Sequence, residues 1–272
     1  MKTLVLANQK GGVGKSAIAT QLAHYLHRLG RSVIVVDLDH QQNTSRPLQA
    51  NNAVAVAGFS SSVIFESASL PALPSGRFVL VGGDDRLSTL ERQPDLHNAF
   101  ASRFRAALKT WDGFDVCLVD TNPNPDIRYA AALISANHVL APIQLNQEAI
   151  EGISGLFGHP RYGIARITAT LNPDLNVLGI LPNMVEATPF QKANLQLMMS
   201  KYGSRLLSTT SDQGTQFGFI QKRTAIAEAQ AAGQFLPDMT KTSARDTWRE
   251  VKPVFDMIVD RLALAPLVEV SA

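Results

Sequence analysis

Residues Gln9-Lys10-Gly11-Gly12-Val13-Gly14-Lys15-Ser16 bring glycines, two lysines and a hydroxyl together between an apolar run and a helical pattern. Glycines let a backbone curl until its N–H groups converge, and a helix starting there adds the positive end of its dipole. Such a loop cradles phosphate oxygens. Lys15 would reach the β- and γ-phosphates of a nucleotide, and the Ser16 hydroxyl would ligate Mg2+. The usual spacing places a glycine five residues before Gly14; Gln9 stands there, and the loop carries Lys10 and the pair Gly11-Gly12 instead. The stretch Gly12–Ala17 also fits the dinucleotide pattern GxGxxA, with Asp37 near where a ribose-binding acid belongs. That oxidoreductase reading leaves Gly-Lys-Ser unexplained, and a second acidic strand end, Asp120, fits nucleotide hydrolysis better.

Asp37-Leu38-Asp39 closes one apolar run and Asp120 closes another, Val116-Cys117-Leu118-Val119. In doubly wound sheets ligands sit at the carboxyl ends of strands, which brings these carboxylates near the phosphates. Alternation along a strand points Asp37 and Asp39 the same way. Asp37 and Asp120 are therefore candidates to hold Mg2+ directly or through water; the plainer alternative is aspartates that cap helices. Cys117 reads as a core residue, and His24 with His27 as a helix surface.

The elements that must position these groups follow from apolar periodicity. Continuous apolar runs at Thr3–Ala7, Ser32–Leu38, Phe78–Val81, Val116–Val119, His138–Ile143 and Val177–Leu181 predict buried strands. Helical patterns lie at Ser16–Leu29, Ala99–Lys109, Arg128–Ala136, Gln147–Leu156, Gln191–Lys201 and Ala244–Leu262, the last with Pro253 as a kink point. Ala50–Gly76, rich in Ser, Ala and Pro, reads as a surface excursion. The expected class is α/β, a doubly wound and mostly parallel sheet with helices on both faces. One domain over 1–265 with a short tail at 266–272 accounts for the 272 residues. The composition, 45% hydrophobic and 18% charged, excludes disorder and coiled coil. A single cysteine excludes a disulfide framework. No apolar run is long enough to span a membrane, so a cytoplasmic protein is expected.

Net charge is +2, and its distribution is uneven. Residues 1–158 hold thirteen basic and thirteen acidic groups; Ala187 to Lys252 hold nine basic and five acidic, a local net of +4.

These motifs resemble the ParA/MinD family of ATPases. KGGVGKS, with Lys10 ahead of paired glycines, resembles that family's deviant Walker A loop. VVDLDHQQN is similar to its VDLDPQGN box, FDVCLVDTNP to its Walker B strand with the DTPPS turn, and APIQLNQEAIEGI to its PVQ…AxEG segment. IQKRTAIAEAQAAG resembles IPRNVRLSEAPSHG, and a KTSARDTW-type terminal helix is also shared. The likeness runs nearly the whole chain and is strongest to the plasmid and chromosome partition branch.

The resemblance implies an ATP-sandwich dimer in which Lys10 reaches the partner's phosphates. It implies that Asp39 positions the attacking water, Asp120 holds Mg2+ through water, and Asn183 recognises adenine. With Gly11 to Ala17 these residues form the expected ATP site, and Lys10, Lys15 and Asp39 its catalytic set. It further implies non-specific DNA binding by the ATP dimer, nucleoid association and a ParB-like adaptor. Lys192, Lys201, Arg205, Lys222, Arg223, Lys241 and Arg245 are the DNA-binding candidates, on helices that by resemblance flank the dimer's outer face. His40, Gln42, Asn122, Asn124 and Gln221 depart from the family boxes at proline, glycine, proline, serine and proline respectively. Positioning of a conjugation or other protein complex is an alternative cargo. The tail LALAPLVEVSA, without Lys or Arg, speaks against a MinD-like membrane helix. The lack of sequence ahead of the first strand speaks against an operator-binding helix-turn-helix.

Overall fold

The computed structural model describes residues 1–67 and 69–267. In chain order the elements are β1 (Lys2–Leu6), α1 (Lys15–Arg28), β2 (Val33–Asp37), α2 (Ser45–Gln49), β3 (Ala55–Val56), α3 (Val63–Glu66) and β4 (Phe78–Val81). A 3-10 turn, Asp85–Arg92, leads into α4 (Pro94–Thr110), β5 (Val116–Asp120), α5 (Ile127–Ser135), β6 (His138–Ile143), α6 (Gln147–Gly158), α7 (Ile164–Thr170) and β7 (Asn176–Pro182). The chain ends with α8 (Pro189–Tyr202), the hairpin β8 (Ser208–Ser211) and β9 (Gly214–Phe217), α9 (Thr224–Ala232) and α10 (Thr242–Leu262).

Seven strands form one parallel sheet in the order β3-β4-β2-β5-β1-β6-β7. The expected α/β doubly wound class holds. Alternation along each strand divides the core in two. Val5, Ile34, Val36, Val79, Cys117, Val119 and Val139 pack beneath α4, α5 and α7, with Phe100, Phe104 and Tyr129. Leu4, Leu6, Val33, Val35, Leu80, Val116 and Leu118 pack beneath α1 and α10, with Leu22, Leu26, Phe255 and Ile258. Strands buried on both faces leave only their carboxyl ends open to a ligand. The register sets what stands there: Asp120 lies opposite both Leu6 on β1 and Asp37 on β2.

Two expectations need correction. Ala50–Gly76 is not a mere excursion: Ala55–Val56 pairs with β4 as the sheet's edge strand, and Phe59, Ile64 and Phe65 join the core. His24 is not on a helix surface but buried, its ring 5.3 Å from Phe78 and 5.8 Å from Phe235, with the His27 ring 5.1 Å from Phe78. Phe235 comes from a loop far along the chain, so α1's own periodicity could not reveal it. The hairpin Ser208–Phe217, polar and exposed, carries no apolar signal and was not expected. Helix α10 runs through Pro253 as one element. Of the tail, residues 268–272 lie outside the described residues.

Burial drives the His24 pKa down from 6.5 to about 4, with Asp238 opposing. The unfolded chain therefore binds a proton that the fold excludes, and stability falls as pH drops from 6.5 towards 4. By urea denaturation at pH 7 and pH 4.5, wild type is expected to lose about 2 kcal/mol more than His24→Leu. Equal losses in the two proteins would contradict a buried, neutral His24.

Candidate nucleotide site

Between β1 and α1 the chain turns through Gly12 and Gly14, both in the left-handed region at φ 72° and 86°. At Gly14 a Cβ would also lie 2.2 Å from Asn183 Nδ2 and would push that amide out of its place. No side chain caps the start of α1, so its first-turn N–H groups are left for a ligand. The loop is braced from two sides. Asn183 Nδ2 donates to Val13 O at 2.8 Å, and Gln144 Nε2 donates to Gly12 O at 2.9 Å.

The loop's two lysines point different ways. Lys15 is buried and turned inward, its Nζ donating to the carbonyls of Asn8 and Lys10, each at 3.2 Å. Burial pulls its pKa below the ordinary lysine value, while the charges of Asp120 and then Asp39 oppose that shift. Lys10 extends outward past Gly152 to Glu148, at 3.3 Å. Its side chain remains 37% exposed.

The three aspartates converge as the strand ends predict, but with different surroundings. Asp37 is fully buried and accepts from Asp39 N and from both N and Oγ of Ser45, at 3.0, 3.0 and 2.7 Å. Burial, followed by the charge of Asp120, pushes its carboxyl up to about 7. Asp120 accepts from Thr44 Oγ1 at 2.7 Å through Oδ2, has the Ser16 hydroxyl beside it, and leaves Oδ1 buried without a partner. A buried carboxylate oxygen with an open valence next to a hydroxyl suits Mg2+, a hard cation that keeps water and phosphate as its other ligands. Asp39 lines the cavity above the loop. Gln42, at the glycine position of the Asp39 box, holds the left-handed φ of 59° that a glycine would take without cost.

The cavity, about 830 Å3, is walled by residues 11–18, Asp39, Asn183, Met184 and the segment 220–223. Lys222 and Arg223 belong to this wall, and each is paired, with Glu186 and Glu250 respectively. Lys241 pairs with Glu228, Lys201 lies over the Tyr202 ring, and Arg205 over that of Phe157. Lys192 and Arg245 are exposed. The sequence reading gave no role to Thr44, Ser45 or Asn8, and held Gln144 only inside the segment APIQLNQEAIEGI. For Thr44 and Ser45 the one local signal is Asn43-Thr44-Ser45, a short polar run opening α2 just after Asp39.

Comparison with known proteins gives the same picture. An AAA domain family model matches residues 1–177. The chain is 32% identical to Protein IncC of Escherichia coli, over 97% of this chain and 71% of that protein. It is 31% identical to the chromosome-partitioning ATPase Soj of Thermus thermophilus, over 89% and 90% of the two. An McdA variant from Cyanothece in complex with ATP shares the fold with a TM-score of 0.75 and 19% identity, covering 99% of each chain. Cobyrinic acid a,c-diamide synthase from Mycobacterium smegmatis, solved with an ATP analogue and magnesium, has a TM-score of 0.62 at 26% identity, over 74% and 80%. With the phosphate loop, the strand-end aspartates and these relatives in agreement, the chain belongs to the ParA-type partition ATPases, the deviant Walker A branch of the P-loop ATP hydrolases.

Proposed function

We propose that the protein is a Mg2+-dependent ATPase that dimerises around two ATP molecules, binds DNA without sequence preference in that state, and moves plasmid or chromosomal DNA with a ParB-like adaptor. The observation that carries this reading is the opposed direction of the two loop lysines. Lys15 is sequestered inside the loop, placed for the phosphates of its own nucleotide. Lys10 leaves the loop and stays near the surface, held by an exposed pair with Glu148 that it would exchange for the phosphates of a second protomer. In that interface its charge would be desolvated against phosphate, where a charge-assisted contact is strongest.

Ser16 and Asp120 would hold the metal, which neutralises charge developing on the phosphates. Asp37, whose oxygens already serve Ser45 and Asp39, acts behind them by fixing the loop that carries Asp39. Asp39, on the cavity wall, orients the attacking water. Asn183 and the 220–223 segment border the remaining cavity, where the base would lie; Asn183 Nδ2 is committed to Val13 O, so its contact with adenine would come through Oδ1. Hydrolysis removes the γ-phosphate that joins the protomers and so dismantles the DNA-binding form. Among the described residues no helix is long and apolar enough to cross a membrane, and nucleoid association follows from DNA binding. DNA contact would draw on Lys192, Lys201, Arg205, Lys241 and Arg245 first, because Lys222 and Arg223 face the nucleotide cavity.

In sedimentation with Mg2+ and a non-hydrolysable ATP analogue, wild type is expected to dimerise. Lys10→Ala is expected to stay monomeric while binding the analogue within about threefold of wild type. A mutant that dimerises normally would refute the role of Lys10 in the partner's site.

DNA binding should fall steeply with salt, and equally for unrelated sequences, since its contacts go to phosphates. Joining two patches in the dimer should make it ATP-dependent. Charge reversal at Lys192 and Arg245 together is expected to weaken DNA binding on the order of tenfold at moderate salt. DNA-free ATP hydrolysis should be unchanged. Undiminished affinity removes these residues from the surface, and wild-type protein that ignores DNA with ATP at low salt defeats the DNA-binding reading.

A further inference from the structure

We infer that His40 is a positioning residue for hydrolysis: its ring holds one oxygen of Asp39, so that the other is left to orient the attacking water. This role rests on the reading of Asp39 as the water-orienting carboxylate and extends it by one residue.

The Gln41 side-chain nitrogen lies 2.9 Å from His40 Nε2. With the amide nitrogen placed as the donor, Nε2 accepts and the ring's N–H is on Nδ1. That Nδ1 faces Asp39 Oδ1 at 3.4 Å, is buried, and has no hydrogen-bond partner. The same Oδ1 accepts the backbone N–H of Gln41 at 3.0 Å. The backbone N–H bonds Oδ1 and the ring Nδ1 stands beside the same oxygen, so neither group engages Oδ2, and Asp39 lines the cavity. A carboxylate held at one oxygen loses free rotation about its Cβ–Cγ bond, and its second oxygen becomes a directed acceptor. The separation of 3.4 Å is longer than a closed hydrogen bond, as contacts of this kind often are before the substrate is bound.

The Asp39 side chain is 7% exposed and the His40 side chain 30%, so the contact is sheltered without being part of the core. Replacing the ring therefore changes the setting of Asp39 more than it changes the fold. A proline here, as in the family box, supplies no donor at all; the histidine adds a contact that proline cannot make.

The test is steady-state ATP hydrolysis with Mg2+ by wild type, His40→Ala, His40→Asn, Asp39→Ala and the double variant Asp39→Ala/His40→Ala. Losing a contact that closes onto a charged oxygen once ATP is bound predicts a fall in kcat on the order of tenfold for His40→Ala, with KM for ATP unchanged within about twofold. Asparagine places an amide N–H where Nδ1 stood and is expected to restore kcat to within about threefold of wild type. The double variant should be no slower than Asp39→Ala, because the ring acts only through that carboxylate. If Asp39→Ala is slow but His40→Ala keeps the wild-type kcat, or the two losses multiply in the double variant, the role of His40 is refuted and that of Asp39 stands. If Asp39→Ala itself hydrolyses ATP at the wild-type rate, the water-orienting reading fails and the role of His40 falls with it.

Discussion

An ammonium group taken out of water organises the ligand-binding end of this protein. Removing Lys15 from solvent costs several kcal/mol unless opposite charge and hydrogen bonds replace its hydration. The carbonyls of Asn8 and Lys10 replace part of it, and Asp120 and Asp39 lie close enough to oppose its loss of charge. Those carboxylates are there because the sheet puts them there. Parallel pairing of β5 with both β1 and β2 sets Asp120 beside Asp37 and under the phosphate loop. A different register would separate the charges and strand the lysine.

Several other features follow from holding like charges together. Burial and the proximity of Asp120 raise the Asp37 carboxyl, and three hydrogen bonds from Asp39 and Ser45 offset part of that cost. Thr44 does the same for one oxygen of Asp120. The backbone serving these bonds is tight. Gln42 adopts a left-handed conformation that costs a non-glycine residue roughly 1–2 kcal/mol, and a Cβ on Gly83 would lie 2.6 Å from Asp39 O. The apolar faces under α1 and α4 supply the stability against which such local costs are set. An open oxygen on Asp120 and uncapped N–H groups on α1 remain as groups that a metal-bound triphosphate could satisfy.

The phosphate loop was legible in the sequence because its chemistry is local: Gly12, Gly14, Lys15 and Ser16 act within one turn. The central strands were legible because burial on both faces writes continuous apolar runs such as VIVVD. How the loop is braced was not legible: Asn183 was marked only for adenine and Gln144 only as part of a family segment, and both reach the loop from distant strand ends. Thr44 and Ser45 look like any helix start until the sheet register brings Asp120 and Asp37 above them. His24 was misread for the same reason, its environment being made by Phe78 and Phe235. The resemblance of VVDLDHQQN to its family box marked His40 and Gln42 as departures; only the fold revealed that one faces Asp39 and that the other keeps a glycine's backbone.

The account depends most on Lys15 as the charge that a nucleotide completes. Calorimetric titration of wild type and Lys15→Gln with ATP and Mg2+ tests it directly. Glutamine keeps a polar, unbranched stem one atom shorter and removes the charge. The account predicts saturable binding to wild type and a loss of affinity of about a hundredfold or more in the variant. Equal affinity in the two proteins would contradict it.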